Sequence, residues 1–217
     1  MEIIALKIAK AALKIKAVKL QPDNPFTWAS GYKMPIYNDN RLFLFYPEYR
    51  RLIAEGFAKL IKDKDIPCDM IAGTPTAGIP HGVLLADILG KPFIYPRKWK
   101  KDHGMLNKIE GVPDPDIIKG KHVVMIEDLI STGGSSVESL EVVRSAGAKV
   151  NTCLSIFSYG FKKAQDAFSA VDAQYFSLIN LDTLIAVVEE EQYFNDEQIE
   201  LLRQWQASPF TWGDRFK

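Results

Sequence analysis

Cysteine is nearly absent from this 217-residue chain, which holds only Cys68 and Cys153. Two thiols so far apart give neither a metal-ligand spacing nor a disulfide framework, so a zinc module and a disulfide-stapled secreted scaffold are both excluded. Each lies in or beside an apolar stretch, where a buried thiol is the ordinary reading. Net charge is lacking as well. Lys plus Arg and Asp plus Glu each total 27, so no global basic excess draws the chain to nucleic acid. No apolar run approaches the roughly 20 residues needed to cross a bilayer. The amino terminus carries Lys7, Lys10, Lys14, Lys16 and Lys19 but no arginine or serine, and Glu2 is acidic. That argues against a transit peptide. Apolar Ile4, Ile8, Leu13 and Ile15 instead predict an amphipathic helix with a basic outer face. Repeats, low-complexity tracts and long linkers are missing too. The expectation is one cytoplasmic domain over residues 1–217, with no nucleic-acid and no membrane partner.

With 47% hydrophobic and 25% charged residues the composition is that of an ordinary globular protein. Along the chain, predicted strands at 70–72, 93–95, 123–126, 150–157 and 175–179 alternate with predicted helices at 47–62, 79–89, 136–146 and 161–168. Such alternation predicts an α/β fold, a Rossmann-like parallel sheet flanked by helices, with ligands at the carboxyl ends of the strands. Two further helices are expected at 181–190 and 196–206. Asn180 and Asn195 would be their caps, with Gln198 completing a capping box. They look like packing elements.

The most informative stretch is 122–136. The β-branched run from Val123 to Ile126 suits one buried strand, and Glu127 and Asp128 follow where it should emerge. Leu129 and Ile130 lead into Ser131, Thr132, Gly133, Gly134, Ser135 and Ser136, a small-residue turn that opens a helix. Backbone N–H groups and the positive end of a helix dipole can hold a phosphate monoester. Glycines let the backbone come close, and two carboxylates can accept hydrogen bonds from a ribose diol. The stretch is neither a Walker A loop nor the dinucleotide G-x-G-x-x-G pattern. An acid pair that merely caps a helix, and a glycine turn that merely connects, are the alternatives. The full run resembles the phosphoribosyl-pyrophosphate (PRPP) motif of the type I phosphoribosyltransferases.

Three more segments fit the same family. Gly73, Thr74, Thr76, Ala77 and Gly78 form a small loop between a strand and a helix. By itself this is an ordinary βα turn or an anion-binding nest; the resemblance implies a pyrophosphate loop, with Ala77 where several orotate enzymes have a lysine. Next, Arg97, Lys98, Lys101, Asp102, His103 and Gly104 open a polar excursion. A charged stretch of this kind is usually a solvated loop, yet it resembles the Arg-Lys-x-x-Lys-x-His-Gly signature of the orotate phosphoribosyltransferases. The third segment runs through Ser30, Gly31, Lys33, Met34, Pro35, Ile36, Tyr37, Asp39 and Arg41, and resembles that family's amino-terminal hood. Met34 and Ala29 replace a usual serine and a usual lysine. Core packing is the expectation for Phe26 and Trp28, and Arg41 could equally be an ion-pair partner.

The resemblance implies transfer of the ribose 5-phosphate of PRPP to N1 of orotate. Glu127 and Asp128 would hold the ribose hydroxyls, and 131–135 the 5′-phosphate. Arg97, Lys101 and His103, with Lys98 nearby, would stabilise the departing pyrophosphate. Ser131, Lys33 and Tyr37 would meet orotate. Mg²⁺ would be carried by PRPP, because no protein ligands with metal-site spacing are present. A hood over 1–45, a mobile lid over 98–118 and a homodimer sharing that lid are also implied. One departure keeps two rivals open. Many relatives have an arginine for the orotate carboxylate where this chain reads Ser158-Tyr159. Another nucleobase, or a PRPP-sensing regulator without turnover, therefore stands beside the orotate reading, although the lysine and histidine of the lid argue against a sensor.

Overall fold

A computed structural model describes residues 2–28, 30–97 and 109–216. The chain opens with α1 (Glu2–Lys14), whose Ile8, Ala9, Ala11 and Ala12 are buried. Four short strands follow: β1 (Val18–Leu20), β2 (Phe26–Thr27), β3 (Lys33–Met34) and β4 (Ile36–Asn38). They pair antiparallel as β1 with β4 and β2 with β3, and a 3₁₀ helix (Asn40–Phe45) leads out of them into α2 (Pro47–Asp63). Pro47 starts α2 at low cost, since its missing N–H has no intrahelical acceptor there.

The main sheet is built from β5 (Met70–Gly73), β6 (Phe93–Pro96), β7 (Ile109–Glu110), β8 (His122–Ile130), β9 (Lys149–Ser158) and β10 (Gln174–Asn180). Its order is β10-β9-β8-β5-β6-β7. Every pairing is parallel except that of β6 with the edge strand β7. Between strands lie α3 (Gly78–Leu89), α4 (Gly134–Arg144) and α5 (Lys162–Ser169), and after β10 come α6 (Leu181–Glu190), α7 (Asp196–Ala207) and a 3₁₀ helix (Trp212–Phe216). The doubly covered α/β sheet read from the sequence is thus observed.

Both faces of the sheet are apolar, and the period of two is visible in β8. Val124 and Ile126 face one core with Ile8, Phe57, Leu85, Leu184 and Trp205. Val123 and Met125 face the other, with Leu140 and Val143 of α4 and Ala164 and Phe168 of α5. Burying each such large side chain contributes roughly 1.5–3 kcal/mol. Asn180 and Asn195 cap α6 and α7 through their side chains, the second with Gln198 in a full capping box. Cys153 is buried and Cys68 half-buried, both as free thiols.

One expectation is corrected. The strand bearing the acid pair does not end at Ile126 but runs to Ile130. The reason is its partner: β9 keeps pairing, with Glu127 opposite Ser155 and Ile130 opposite Ser158. On the other side β5 stops, its last rung being Gly73 with Ile126. Glu127 and Asp128 therefore stand within a strand, beside a neighbour that has already ended.

Candidate active site

The end of β5 creates the site. Beyond the Gly73–Ile126 rung, Thr74 turns away, its N–H and its Oγ1 both donating to the Ile126 carbonyl at 2.9 and 3.1 Å. The chain returns at once into α3. A Cβ on Gly78 would stand 2.2 Å from the Ile126 oxygen and 2.4 Å from Thr74 Oγ1, so only glycine fits so tight a return. Above this notch opens a cleft of about 470 Å³, lined by the β5–α3 loop, the acid pair, the outer face of α4 and the end of the hood.

Two helices aim their amino termini at the cleft without a side-chain cap. Neither Ala77, which precedes α3, nor Gly133, which precedes α4, supplies one. Gly133 holds φ +81°, a left-handed turn favouring glycine, and lets α4 start abruptly. First-turn amides have no intrahelical acceptor and carry the positive end of the helix dipole. α6 and α7, by contrast, are closed by Asn180 and Asn195. Open termini facing the cleft make it suited to anionic oxygens, and two of them to a ligand phosphorylated at two places.

The acid pair is asymmetric. Glu127 is only 7% exposed. Its Oε2 accepts from Ser136 Oγ at 3.0 Å, and its Oε1 accepts the Asp128 N–H at 3.0 Å. Burial, and then the neighbouring charge of Asp128, push the Glu127 carboxyl up to about 8. Asp128 lines the cleft, and its backbone carbonyl accepts from Asn40 Nδ2 at 2.6 Å. At the hood rim Arg41 forms a two-pronged pair with Asp39, at 2.6 and 3.0 Å. The guanidinium holds the Asp39 carboxyl below its usual range.

Several sequence-predicted residues meet here: Thr76, Ala77, Arg97, Glu127, Asp128, Leu129 and Ser135 all line the cleft. Arg97 is ion-paired with Glu110 of β7. Gly73, Thr74 and Gly78 lie buried beneath the loop. Ser131 and Thr132 are half-buried, and Gly134 is exposed at the start of α4. Ile130 is fully buried in the core beneath α4, so any contact it makes with a ligand must come from its backbone. Lys33 and Tyr37 sit on the hood away from the cleft lining, Lys33 donating to Thr27 Oγ1 at 2.8 Å and Tyr37 packed on Phe26. Lys98, Lys101 and His103, like Ala29, lie outside the described residues.

Sequence reading missed Asn38, Pro75, Pro96, Glu138, Ser139 and Val142 in the lining. The α4 members were detectable, because Ser135, Glu138, Ser139 and Val142 follow helical spacing on one face. At Ser158-Tyr159, where the resemblance implied an arginine, Tyr159 enters an aromatic cluster. Its ring is stacked on Phe161 at 5.1 Å, edge-on to Phe157 and Trp205, and tilted against Trp28 of the hood.

Comparison with known proteins agrees with this geometry. A family model for the phosphoribosyl transferase domain matches residues 46–193. The orotate phosphoribosyltransferase of Listeria monocytogenes is 45% identical over 97% of this chain and 99% of its own. That of Lactococcus lactis is 46% identical over 96% of this chain and 98% of its own. Among solved structures, orotate phosphoribosyltransferase from Aeropyrum pernix superposes with a TM-score of 0.71 at 28% identity, covering 87% of this chain and 99% of that one.

Proposed function

The chain belongs to the orotate phosphoribosyltransferases within the phosphoribosyl transferase domain family, and from this premise we propose how its cleft divides the work. The enzyme is a pentosyltransferase that joins orotate N1 to C1′ of PRPP as the C1′–O bond to pyrophosphate breaks. The observation that carries the assignment of roles is the pair of uncapped helix termini flanking the acid pair over one cleft. The α4 terminus and the loop 131–135 take the 5′-phosphate, and Glu127 with Asp128 accounts for the ribose diol. The loop of Gly73, Thr74, Thr76, Ala77 and Gly78 takes the pyrophosphate through its amides and Thr76. Arg97 at the cleft, with Lys98, Lys101 and His103 from the adjoining segment, stabilises the charge that gathers on the leaving group.

Orotate N1 is itself the nucleophile, so the protein contributes orientation and charge stabilisation. Ser131, Lys33 and Tyr37 are the candidates for contact with orotate. Among the described residues no group of three or more His, Cys, Asp or Glu side chains is placed to hold a metal ion. Mg²⁺ would arrive carried by PRPP and would neutralise pyrophosphate charge, with Asp128 among the carboxylates lining the cleft. Residues 1–45 act as the hood and 98–118 as the lid of a single catalytic domain over 1–217, the described end of that lid being anchored by β7 on β6 and by buried Ile118. The family resemblance supports a homodimer in which each lid serves its neighbour, and Phe45, Leu42, Val83 and Ile88 are exposed apolar side chains available to such a contact. No described helix is long and apolar enough to cross a membrane, and we assign the enzyme to the cytoplasm.

The test is pyrophosphate release from PRPP and Mg²⁺ offered orotate, uracil, hypoxanthine or adenine separately. Release with orotate alone is expected. Release only with another base would overturn the substrate, and silence with all four beside tight PRPP binding would make the protein a sensor.

A further inference from the structure

The last turns of the chain come back to the hood. Trp205 of α7 is fully buried and donates its Nε1–H to the Met34 sulfur at 3.0 Å. Met34 occupies the hood position where the resemblance implied a serine, and it too is fully buried. The same indole meets Tyr159 edge-on, with ring centroids 5.9 Å apart. Phe210 then packs on Tyr32 of the hood at 5.4 Å and on Phe161 at 5.1 Å. The 3₁₀ helix that follows lies across β3. A Cβ on Gly213 would stand 2.6 Å from the Lys33 carbonyl oxygen and 2.7 Å from the Lys33 Cβ, so the two backbones touch with no side chain between them. Trp205, Phe210 and Gly213 thus bear on three consecutive hood residues, Met34, Tyr32 and Lys33.

The hood needs such support. Its β2 and β3 pair over only two residues each, and a ribbon so short does not hold its shape alone. From Met34 the chain passes through Pro35 and β4 straight to the cleft, where Asn38, Asp39 and Arg41 form part of the lining. That path is held along its length. Trp28 donates its Nε1–H to the Ile36 carbonyl at 2.9 Å and leans on Tyr159, and Asn40 is tied to Asp128. A displacement of β3 is therefore passed along β4 to the cleft rim. We propose that the carboxyl-terminal segment positions the hood over the base side of the cleft, with Trp205 and Gly213 as positioning residues for orotate. This rests on the orotate reading above, in which Lys33 and Tyr37 meet the base. The residues assigned to the sugar and its phosphates lie on the β5–α3 loop, on β8 and at the start of α4, outside the hood. A disturbance at the tail should accordingly reach one substrate and spare the other.

The experiment measures KM for orotate, KM for PRPP, kcat and Tm on the full-length enzyme and on Gly213→Ala, Trp205→Phe and Val150→Ala. Gly213→Ala sets a methyl against the Lys33 backbone and pushes β3 outward. KM for orotate is expected to rise about fivefold or more, with KM for PRPP within about twofold, as befits a displaced contact to one substrate. Trp205→Phe keeps a packed ring and loses the N–H donor, so the same selective rise should be smaller. Val150→Ala controls for lost stability. Val150 is buried in the other core near the start of β9, at the end of the sheet away from the cleft. It should lower Tm and leave both KM values at those of the parent, because a smaller folded fraction lowers apparent kcat alone. Both KM values unchanged in Gly213→Ala, or both raised together, would reduce the tail to packing and sink the proposal. Should that variant not fold, Trp205→Phe decides by the same criterion. A parent enzyme that releases pyrophosphate with another base and not with orotate would instead overturn the substrate reading underneath.

Discussion

Asn40 donates its side-chain amide to the backbone carbonyl of Asp128 at 2.6 Å, joining residues 88 positions apart in sequence. Asn40 is fully buried and begins the 3₁₀ helix that leaves the hood. This one bond fixes the hood against the strand that carries the acid pair. Its loss leaves the Asp128 carbonyl without this donor and frees the strand end to shift.

Asn40→Ala is therefore expected to raise the Kd for PRPP about five- to tenfold, the equivalent of about 1–1.4 kcal/mol for one hydrogen bond. Isothermal calorimetry on the purified variant is the check. Affinity equal to that of the parent would mean that the hood and the acid strand are held together elsewhere.

Lys101→Ala should separate binding from chemistry. A side chain that meets the leaving group mainly as charge develops contributes to kcat more than to ground-state affinity. Turnover is expected to fall about a hundredfold or more, with PRPP affinity within about tenfold. Equal losses in both would make Lys101 a simple substrate anchor.

Gly78→Ala tests the notch itself. The new methyl would meet the Ile126 carbonyl oxygen at 2.2 Å, and backbone on both sides leaves little room to yield. Overpacking of this kind costs about 1–3 kcal/mol. A drop in Tm of about 5 °C, together with weakened pyrophosphate inhibition, is the expected result. A thermal melt unchanged within a degree would show that the loop opens freely.

His81 provides a pH test through a buried group that the proposed chemistry does not use. It is 1% exposed on α3, and neither ring nitrogen has a hydrogen-bond partner among the described residues. Burial, and then the nearby Arg50, lower its pKa from 6.5 to about 4. The unfolded chain takes up this proton at a higher pH than the folded one. Stability from this group is complete above 6.5 and drains away as pH falls towards 4, on the order of 3 kcal/mol in total. His81→Leu should leave stability at pH 7 equal or higher and flatten the acid limb of a urea-midpoint series between those values. A limb as steep as the parent's would assign acid sensitivity to other groups.

The sheet and the phosphate turn were legible because each has a strong local signature. Val123–Ile126 alternates between two buried faces, and Gly133 is needed for its backbone angle. The capping box at Asn195 and Gln198 was readable for the same reason, since all its atoms lie within one turn. What escaped depends on distant partners. Nothing in Glu127-Asp128-Leu129-Ile130 announces a strand; the ladder there is completed by β9. The pairings of β1 with β4 and β2 with β3 involve two or three residues each, too few to show a period. Trp205 reaches Met34 of the hood through Nε1 at 3.0 Å, a contact between opposite ends of the chain. The carboxyl-terminal helices thus pack as expected, but against the hood as well as the sheet. Tyr159 showed only as an arginine missing from the expected motif, and its aromatic neighbours come from the hood, from β9, from the residue before α5, and from α7.

The shortness of β5 has a consequence for how this architecture can change. Its ladder to β8 closes at Gly73 and Ile126, and the room above that rung is where the chemistry takes place. Two more residues of strand there would zip onto Glu127 and Asp128 and seal the opening with backbone, leaving every reactive side chain in the sequence and no reaction. Activity here depends on a strand that stops early, so an insertion after residue 73 should be tolerated by the fold far better than by the function.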